Sequence, residues 1–152
     1  MRVALDSNIL VYAHGVDGAA MRRKALDVLD ALPDDDVVLP AQALGEIFNV
    51  LVRKAQWGRE KARAAVLEWR DSYPIVDTSG TVLARAIDLS AEHRLSIWDA
   101  VILSASAESG CRLLLSEDLQ AGFTWQGVTV VNPFIPQSDP LFAALLAERD
   151  RR

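Results

Sequence analysis

Residues 2–13 read RVALDSNILVYA, a stretch that passes from a buried strand to a helix across a single aspartate. The apolar run 3–5 is short enough to be a strand covered on both faces. Asp6 and Ser7, which are residue types favoured at helix N-caps, follow it at once, and the pattern at 7–13 fits a helix. The stretch therefore predicts a strand that leads directly into a helix, with Asp6 at the joint.

The same alternation of short apolar runs and helical patterns continues along the chain. Strands are predicted at 3–5, 37–39, 75–76, 113–115 and 128–131. Helices are predicted at 7–13, 19–32, 41–56, 59–73, 79–93, 97–109 and about 139–150. Such alternation predicts an α/β domain with a mainly parallel sheet, and functional sites in such sheets lie beyond the carboxyl ends of the strands.

The composition fits one soluble domain that spans residues 1–152. The chain is long enough for one sizeable core and short for two. Cys111 is its single cysteine, which rules out an intramolecular disulfide and favours a reducing, cytoplasmic setting. The sequence shows no signal-peptide pattern and no apolar run near the roughly 18 residues that a membrane helix needs.

Four acidic residues stand at joints between the predicted elements: Asp6, Glu46, Asp99 and Asp118. Glu46 borders the apolar stripe of helix 41–56, and Asp99 has apolar neighbours on both sides. Taken singly, each acid could be a helix cap, a turn residue or part of a solvated face. If the four meet in space, they form an all-oxygen site of the kind that binds Mg²⁺ or Mn²⁺.

The net charge bears on the substrate class. The chain carries 16 basic and 21 acidic residues, a net charge of −5, whereas proteins that bind nucleic acid usually present a basic surface. Without the four acids the balance is 16 against 17, or −1. A bound cation would cancel part of that local charge. The acidity therefore does not exclude an RNA substrate, although it argues against strong non-specific binding to long duplexes.

At these positions the sequence resembles the PIN-domain ribonucleases. The run DSNILVYA at 6–13 resembles the opening motif of that family, and Glu46 stands in the helix after the second strand. Trp98-Asp99-Ala100 matches the third acidic motif, and LLSED at 114–118 resembles the fourth. Asn132-Pro133 after the last strand also fits. The resemblance covers almost the whole chain, and the size is similar to that of the toxin half of VapBC-type toxin–antitoxin pairs.

The resemblance implies a fold and a set of residue roles. The fold would be a PIN-like three-layer sandwich with a central, mainly parallel five-stranded sheet flanked by helices. The four acids would be the catalytic residues and would line a Mg²⁺ or Mn²⁺ site. Asn8 and Ser116 would support them through hydrogen bonds. Glu117 could add a ligand or point away while Asp118 points in.

The resemblance also implies an activity and partners. The activity would be endonucleolytic cleavage of single-stranded or looped RNA, leaving 3′-hydroxyl and 5′-phosphate ends. The expected partners are a small antitoxin protein, whose arginine could reach the carboxylates, and a second copy of the chain in a homodimer. The segment from 139 onward departs from the commonest pattern of the family.

Two other function classes compete with the nuclease. A non-catalytic PIN-like module could bind RNA or protein, although retention of all four acids argues against it. A phosphotransfer enzyme or phosphatase would usually need a late lysine, and the chain has none after Lys61. It also lacks a glycine-rich nucleotide loop. For base stacking, Trp57 and Tyr73 are candidates, although both also fit the edge of a core.

Overall fold

The computed structural model describes residues 1–136, 139–149 and 151. Within them, the strands are β1 (Val3–Leu5), β2 (Val37–Pro40), β3 (Ile75–Val76), β4 (Leu113–Leu115), β5 (Thr124–Trp125) and β6 (Val128–Val131). They form a single sheet in the order β3-β2-β1-β4-β6-β5. Neighbouring strands are parallel except for β5, which pairs antiparallel with β6. The predicted α/β class and mainly parallel sheet are confirmed.

The helices follow the predicted order. They are α1 (Ser7–Ala13), α2 (Ala19–Ala31), α3 (Ala41–Arg53), α4 (Arg59–Ser72), α5 (Gly80–His93), α6 (Ile97–Glu108) and α7 (Pro140–Arg149). The predicted end of the last helix at residue 150 lies outside the described residues. Within those residues, no helix is long and apolar enough to cross a membrane.

Most predicted boundaries agree with the structure within one residue, and the larger differences are at α3 and at the edge of the sheet. Helix α3 ends at Arg53 and not at residue 56, because Gln56 adopts a φ of +55° and the Trp57 amide turns back to the Leu51 carbonyl, 2.9 Å away. The sheet also has one strand more than the five predicted. Strand β5 is only two residues long and meets β6 through a tight turn at Gln126-Gly127, where both φ angles are positive.

The sheet lies between two layers of helices, as the three-layer prediction required. Side chains of successive strand residues point to opposite faces, so Val3 and Leu5 pack with α1, α2, α3, α4 and α7, while Ala4 packs with α5 and α6. The last helix, α7, joins the first layer through the buried side chains of Phe142 and Leu145. Every residue of β1 and β4 is fully buried, which explains why these strands are uniformly apolar.

Candidate active site

Strands β1 and β4 place two of the predicted site residues side by side. The strands run parallel with Leu5 opposite Leu115, so the residues that follow them, Asp6 and Ser116, emerge together at the carboxyl edge of the sheet. The Asp6 amide donates to the Leu115 carbonyl at 2.9 Å. The Ser116 hydroxyl donates to Asp6 Oδ2 at 2.7 Å. The backbone register therefore fixes the first acid of the site.

Asp6 is a buried carboxyl group, with only 3% of its surface exposed. Its Oδ1 accepts a hydrogen bond of 2.7 Å from the Ser7 amide at the start of α1. Burial raises the pKa of Asp6 to about 6, against the lowering effect of the hydrogen bonds from Ser116 and Ser7. The negative charges of Glu46 and Asp99 raise the pKa further, which shows that three of the predicted acids face one another.

Glu46 is anchored from two sides on α3. The Ser7 hydroxyl donates to its Oε2 at 2.6 Å, and Gln42 Nε2 donates to its Oε1 at 2.7 Å. The same Gln42 amide also donates to the Trp98 carbonyl at 2.9 Å. These contacts connect α1, α3 and the start of α6, and they orient the Glu46 carboxylate toward Asp6.

Asp99 lies half-buried in the first turn of α6. The cap of this helix is Ser96, whose hydroxyl accepts from the Asp99 amide at 3.1 Å, so the Asp99 carboxyl group is not needed as a cap. Burial raises the pKa of Asp99, and the charges of Asp118 and Glu46 raise it further. Asp99 is therefore near enough to Glu46 and Asp118 for their charges to act on it.

Asp118 and Glu117 point to different partners. Asp118 Oδ2 accepts a hydrogen bond of 3.1 Å from Asn8 Nδ2, whose Oδ1 in turn lies 3.4 Å from the Glu117 amide. The Glu117 side chain accepts a hydrogen bond of 3.0 Å from the Tyr12 hydroxyl. The structure therefore places Asp118 with the other acids and holds Glu117 against α1.

The four acids form an electrostatically unbalanced cluster. In the part of the chain that the structure describes, none of them pairs with a lysine or arginine. Nor do any three acidic, histidine or cysteine side chains there lie close enough together to hold a metal ion as they stand. Ser7 and Gln42 hydrogen-bond to Glu46, and Asn8 hydrogen-bonds to Asp118. The four possible ligands are nonetheless all carboxylates. A buried Asp6 carboxyl group close to other negative charges is suited to binding a hard divalent cation.

Several contacts of the site were not predicted from the sequence. Ser7 and Tyr12 each bind an acidic side chain from another part of the fold, and Gln42 binds Glu46 within α3. Gln42 could have been found, because a residue four positions before Glu46 lies on the same face of the helix. The contacts of Ser7 and Tyr12 depend on tertiary packing and leave no local pattern.

The aromatic residues considered for base stacking lie within the protein's own packing. Trp57 packs edge-on against His14 and carries the Lys61 ammonium 3.8 Å above its ring. Tyr73 stacks on Trp69, whose indole nitrogen donates to His14 Nε2 at 2.8 Å. These rings are core edges, which was the alternative interpretation of both.

Replacing Ser116 by alanine should destabilise the protein by about 1–3 kcal/mol. Its buried hydroxyl donates to Asp6 Oδ2 and lies 3.3 Å from the Leu119 amide, so both groups would lose a partner. Urea denaturation measures the change. The matched control is Ser104→Ala, since the Ser104 hydroxyl is equally buried and has no hydrogen-bond partner among the described residues. Equal losses for both variants would contradict a special role for the Ser116 contact.

Comparison with known proteins gives a family and a set of related folds. A family model for the PIN domain matches residues 3–122. A toxin–antitoxin complex from Klebsiella pneumoniae contains a chain with 22% identity and a TM-score of 0.65, and the match covers 87% of this chain and 98% of that one. Among curated proteins, none matches this chain.

Two further solved structures share the fold. VapC20 from Mycobacterium tuberculosis, described as a Sarcin-Ricin loop cleaving toxin, is 18% identical with a TM-score of 0.65, over 76% of this chain and 89% of its own. The FitAcB structure from Neisseria gonorrhoeae is 16% identical with a TM-score of 0.63, over 87% and 98%. At these identities the likeness establishes the fold.

Proposed function

This chain belongs to the PIN-domain family, and we propose that it is a Mg²⁺- or Mn²⁺-dependent endoribonuclease that acts as the toxin of a toxin–antitoxin pair. One observation carries the proposal. Four carboxyl groups from four separate segments converge at the carboxyl edge of the sheet without a basic partner among the described residues. Such a cluster repels itself unless a cation is bound.

The residues that would hold the cation are Asp6, Glu46, Asp99 and Asp118. A bound divalent cation supplies positive charge that lowers the pKa of water and stabilises the oxygens around the scissile phosphorus. The protein's own part is orientation. Ser116 and the Ser7 amide fix the buried Asp6 carboxyl group, the Ser7 hydroxyl and Gln42 fix Glu46, and Asn8 fixes Asp118.

The supporting groups favour a preorganised site. Each hydrogen bond above holds a carboxylate that other carboxylates would otherwise push away. Tyr12 removes Glu117 from the group, which limits the negative charge that must be balanced. We assign Asn8 and Ser116 as positioning residues, and we give Glu117 no direct part in catalysis.

The proposed substrate is single-stranded or looped RNA. The net charge of −5 gives the chain no general attraction for long duplexes, so recognition must be local to the site. The description of the mycobacterial structure as a toxin that cleaves the Sarcin-Ricin loop supports RNA as the substrate class.

The proposed protein partners are a small antitoxin and a second copy of the chain. The related chain from Klebsiella pneumoniae was solved in a toxin–antitoxin complex, which supports an antitoxin here. Unpaired carboxylates at an open edge are suited to an arginine from such a partner, because a guanidinium binds carboxylates bidentately. We also propose a cytoplasmic location, with which the buried thiol of Cys111 is compatible.

Incubation of the purified protein with total RNA in Mg²⁺ should yield discrete fragments with 3′-hydroxyl and 5′-phosphate ends. EDTA should abolish cleavage, and Mn²⁺ added afterwards should restore it, because the carboxylates alone repel phosphate. Sequencing of the fragment ends by ligation, with and without prior phosphatase treatment, identifies the termini. Cleavage in EDTA, or hydrolysis of small phosphate esters in place of RNA, would contradict the proposal.

A further inference from the structure

We propose that Trp98 and the groove beside it form a binding subsite for one unstacked nucleobase of the RNA, next to the acidic cluster. The proposal rests on the proposed function, since it assigns the place where the substrate is gripped. The groove is defined by Trp98 on α6 and by Gln42, Gly45, Glu46 and Asn49 on α3, and it encloses about 390 Å³.

Trp98 is an exposed indole at the rim of the site. It is 61% exposed, more than any other large hydrophobic side chain among the described residues. It directly precedes Asp99, and its carbonyl accepts the hydrogen bond from Gln42 that also anchors the Glu46 side chain. An exposed aromatic face on a helix turn whose backbone is fixed beside the acidic cluster is suited to stacking on a planar ligand.

The groove and the acidic cluster share a wall. Glu46 lines the groove, and its Oε2 accepts a hydrogen bond of 2.6 Å from the Ser7 hydroxyl, while the Ser7 amide donates to Asp6 Oδ1 at 2.7 Å. A nucleotide whose phosphate lies at the acids would therefore bring its base to the groove. Asn49 and Gln42 also line the groove. The Asn49 carboxamide can hydrogen-bond to a base edge, whereas Gln42 Nε2 already donates to Glu46 and to the Trp98 carbonyl, so Gln42 offers only its Oε1 as an acceptor.

The protein's own packing does not explain why residue 45 is a glycine. It lies in the middle of α3, where glycine is unfavourable relative to alanine. A Cβ atom built on it would meet no atom within 4 Å, and the backbone conformation there is ordinary. Since neither contact nor backbone geometry requires glycine, the missing side chain leaves room for an external group.

A nucleobase fits these features better than a protein side chain. Unstacked bases in RNA are commonly bound by stacking on an aromatic ring with polar groups at their edges, and the groove offers one ring, the Asn49 carboxamide and the Gln42 Oε1 acceptor. The rings considered from the sequence as stacking candidates, Trp57 and Tyr73, already pack against His14 and Trp69. The Trp98 ring is 61% exposed and therefore presents a face to the substrate.

The test measures RNA binding by fluorescence anisotropy in a cleavage-impaired Asp6→Asn background. The probe is a labelled single-stranded RNA of about nine nucleotides with mixed sequence, and a second probe has the same backbone without bases. Trp98→Ala should weaken binding of the first probe at least about fivefold, as expected for the loss of one stacked base, while Trp98→Phe retains most of it. The base-free probe should bind both proteins equally.

Gly45 supplies an independent variant and Ile87 a control. Gly45→Leu should weaken binding of the base-containing probe without loss of folding, because the added side chain enters the groove and meets no protein atom at its Cβ. Ile87→Ala removes another exposed apolar side chain, 58% exposed on α5, and should leave binding unchanged.

The subsite is wrong if Trp98→Ala binds the RNA as tightly as its parent, or if both probes lose affinity alike. It is also wrong if the variant leaves RNA binding intact and instead changes the molar mass in solution or the retention of a co-expressed antitoxin, since the groove would then serve a protein. Cleavage of total RNA by Trp98→Ala in the wild-type Asp6 background distinguishes the failure of the subsite proposal from the failure of the nuclease proposal. Full cleavage overturns the subsite alone, whereas a wild-type chain that never cleaves RNA overturns the nuclease.

Discussion

Replacement of Asp99 by asparagine should lower the rate of RNA cleavage by about a thousandfold or more, as expected when a principal electrostatic contact of a reacting centre is lost. The substitution removes the negative charge of the Asp99 side chain and keeps the size and shape of that side chain. The cap of α6 depends on the Ser96 hydroxyl and the Asp99 amide, so the helix should be unaffected. The carboxyl group that faces Glu46 and Asp118 would lose its capacity to hold a cation.

The measurement is the initial rate of cleavage of total RNA in Mg²⁺ at equal protein concentration, with circular dichroism to confirm the fold. Asp88→Asn is the matched control, because Asp88 is an exposed acid on α5. This variant should cleave RNA at the wild-type rate. Cleavage by Asp99→Asn at the wild-type rate would show that the acidic cluster is not the reaction centre.

The sequence predicted the fold well where local patterns carry it. The apolar runs of β1 and β4 are fully buried, and burial on both faces leaves an unmistakable pattern even in three residues. Strand β5 escaped prediction because Thr124 and Trp125 do not form an apolar run, unlike the equally short β3. The end of α3 was placed too late because a left-handed Gln56 has no strong sequence preference.

The site was predicted unevenly for a physical reason. Asp6, Asp99 and Asp118 were recognisable because they follow strands or begin a helix, and the ends of strands converge in a parallel sheet. Glu46 lies inside α3 and was recognisable by its place in the helix after the second strand. What holds them in place was harder to foresee. The Ser7 hydroxyl reaches Glu46 and the Tyr12 hydroxyl reaches Glu117 only after α1 packs on the sheet. The choice between Glu117 and Asp118 was therefore decided by tertiary contact.

Asp6→Asn should stabilise the protein at pH 7.5 in EDTA by on the order of 2–3 kcal/mol. The folded state raises the pKa of Asp6 from 3.8 to about 6, mainly through burial. The wild-type protein therefore loses stability as the pH rises from about 4 to about 6, because the unfolded chain releases this proton more readily. Asparagine mimics the uncharged acid, does not ionise, and avoids that loss.

Urea denaturation of both proteins at pH 4 and at pH 7.5 tests this expectation. The free energies of unfolding of the two proteins should be nearly equal at pH 4, where Asp6 is largely protonated in the folded state. Above pH 6 the variant should be the more stable of the two. Excess Mg²⁺ should close the gap at pH 7.5, since a ligand at about 100 times its Kd stabilises the folded state by about 2.7 kcal/mol. Mg²⁺ should stabilise the Asp6→Asn variant much less than the wild-type protein. A variant that is less stable than wild type in EDTA at pH 7.5 would mean that the hydrogen bonds from Ser116 and Ser7 outweigh burial and repulsion, so that the empty cluster has no need of a cation.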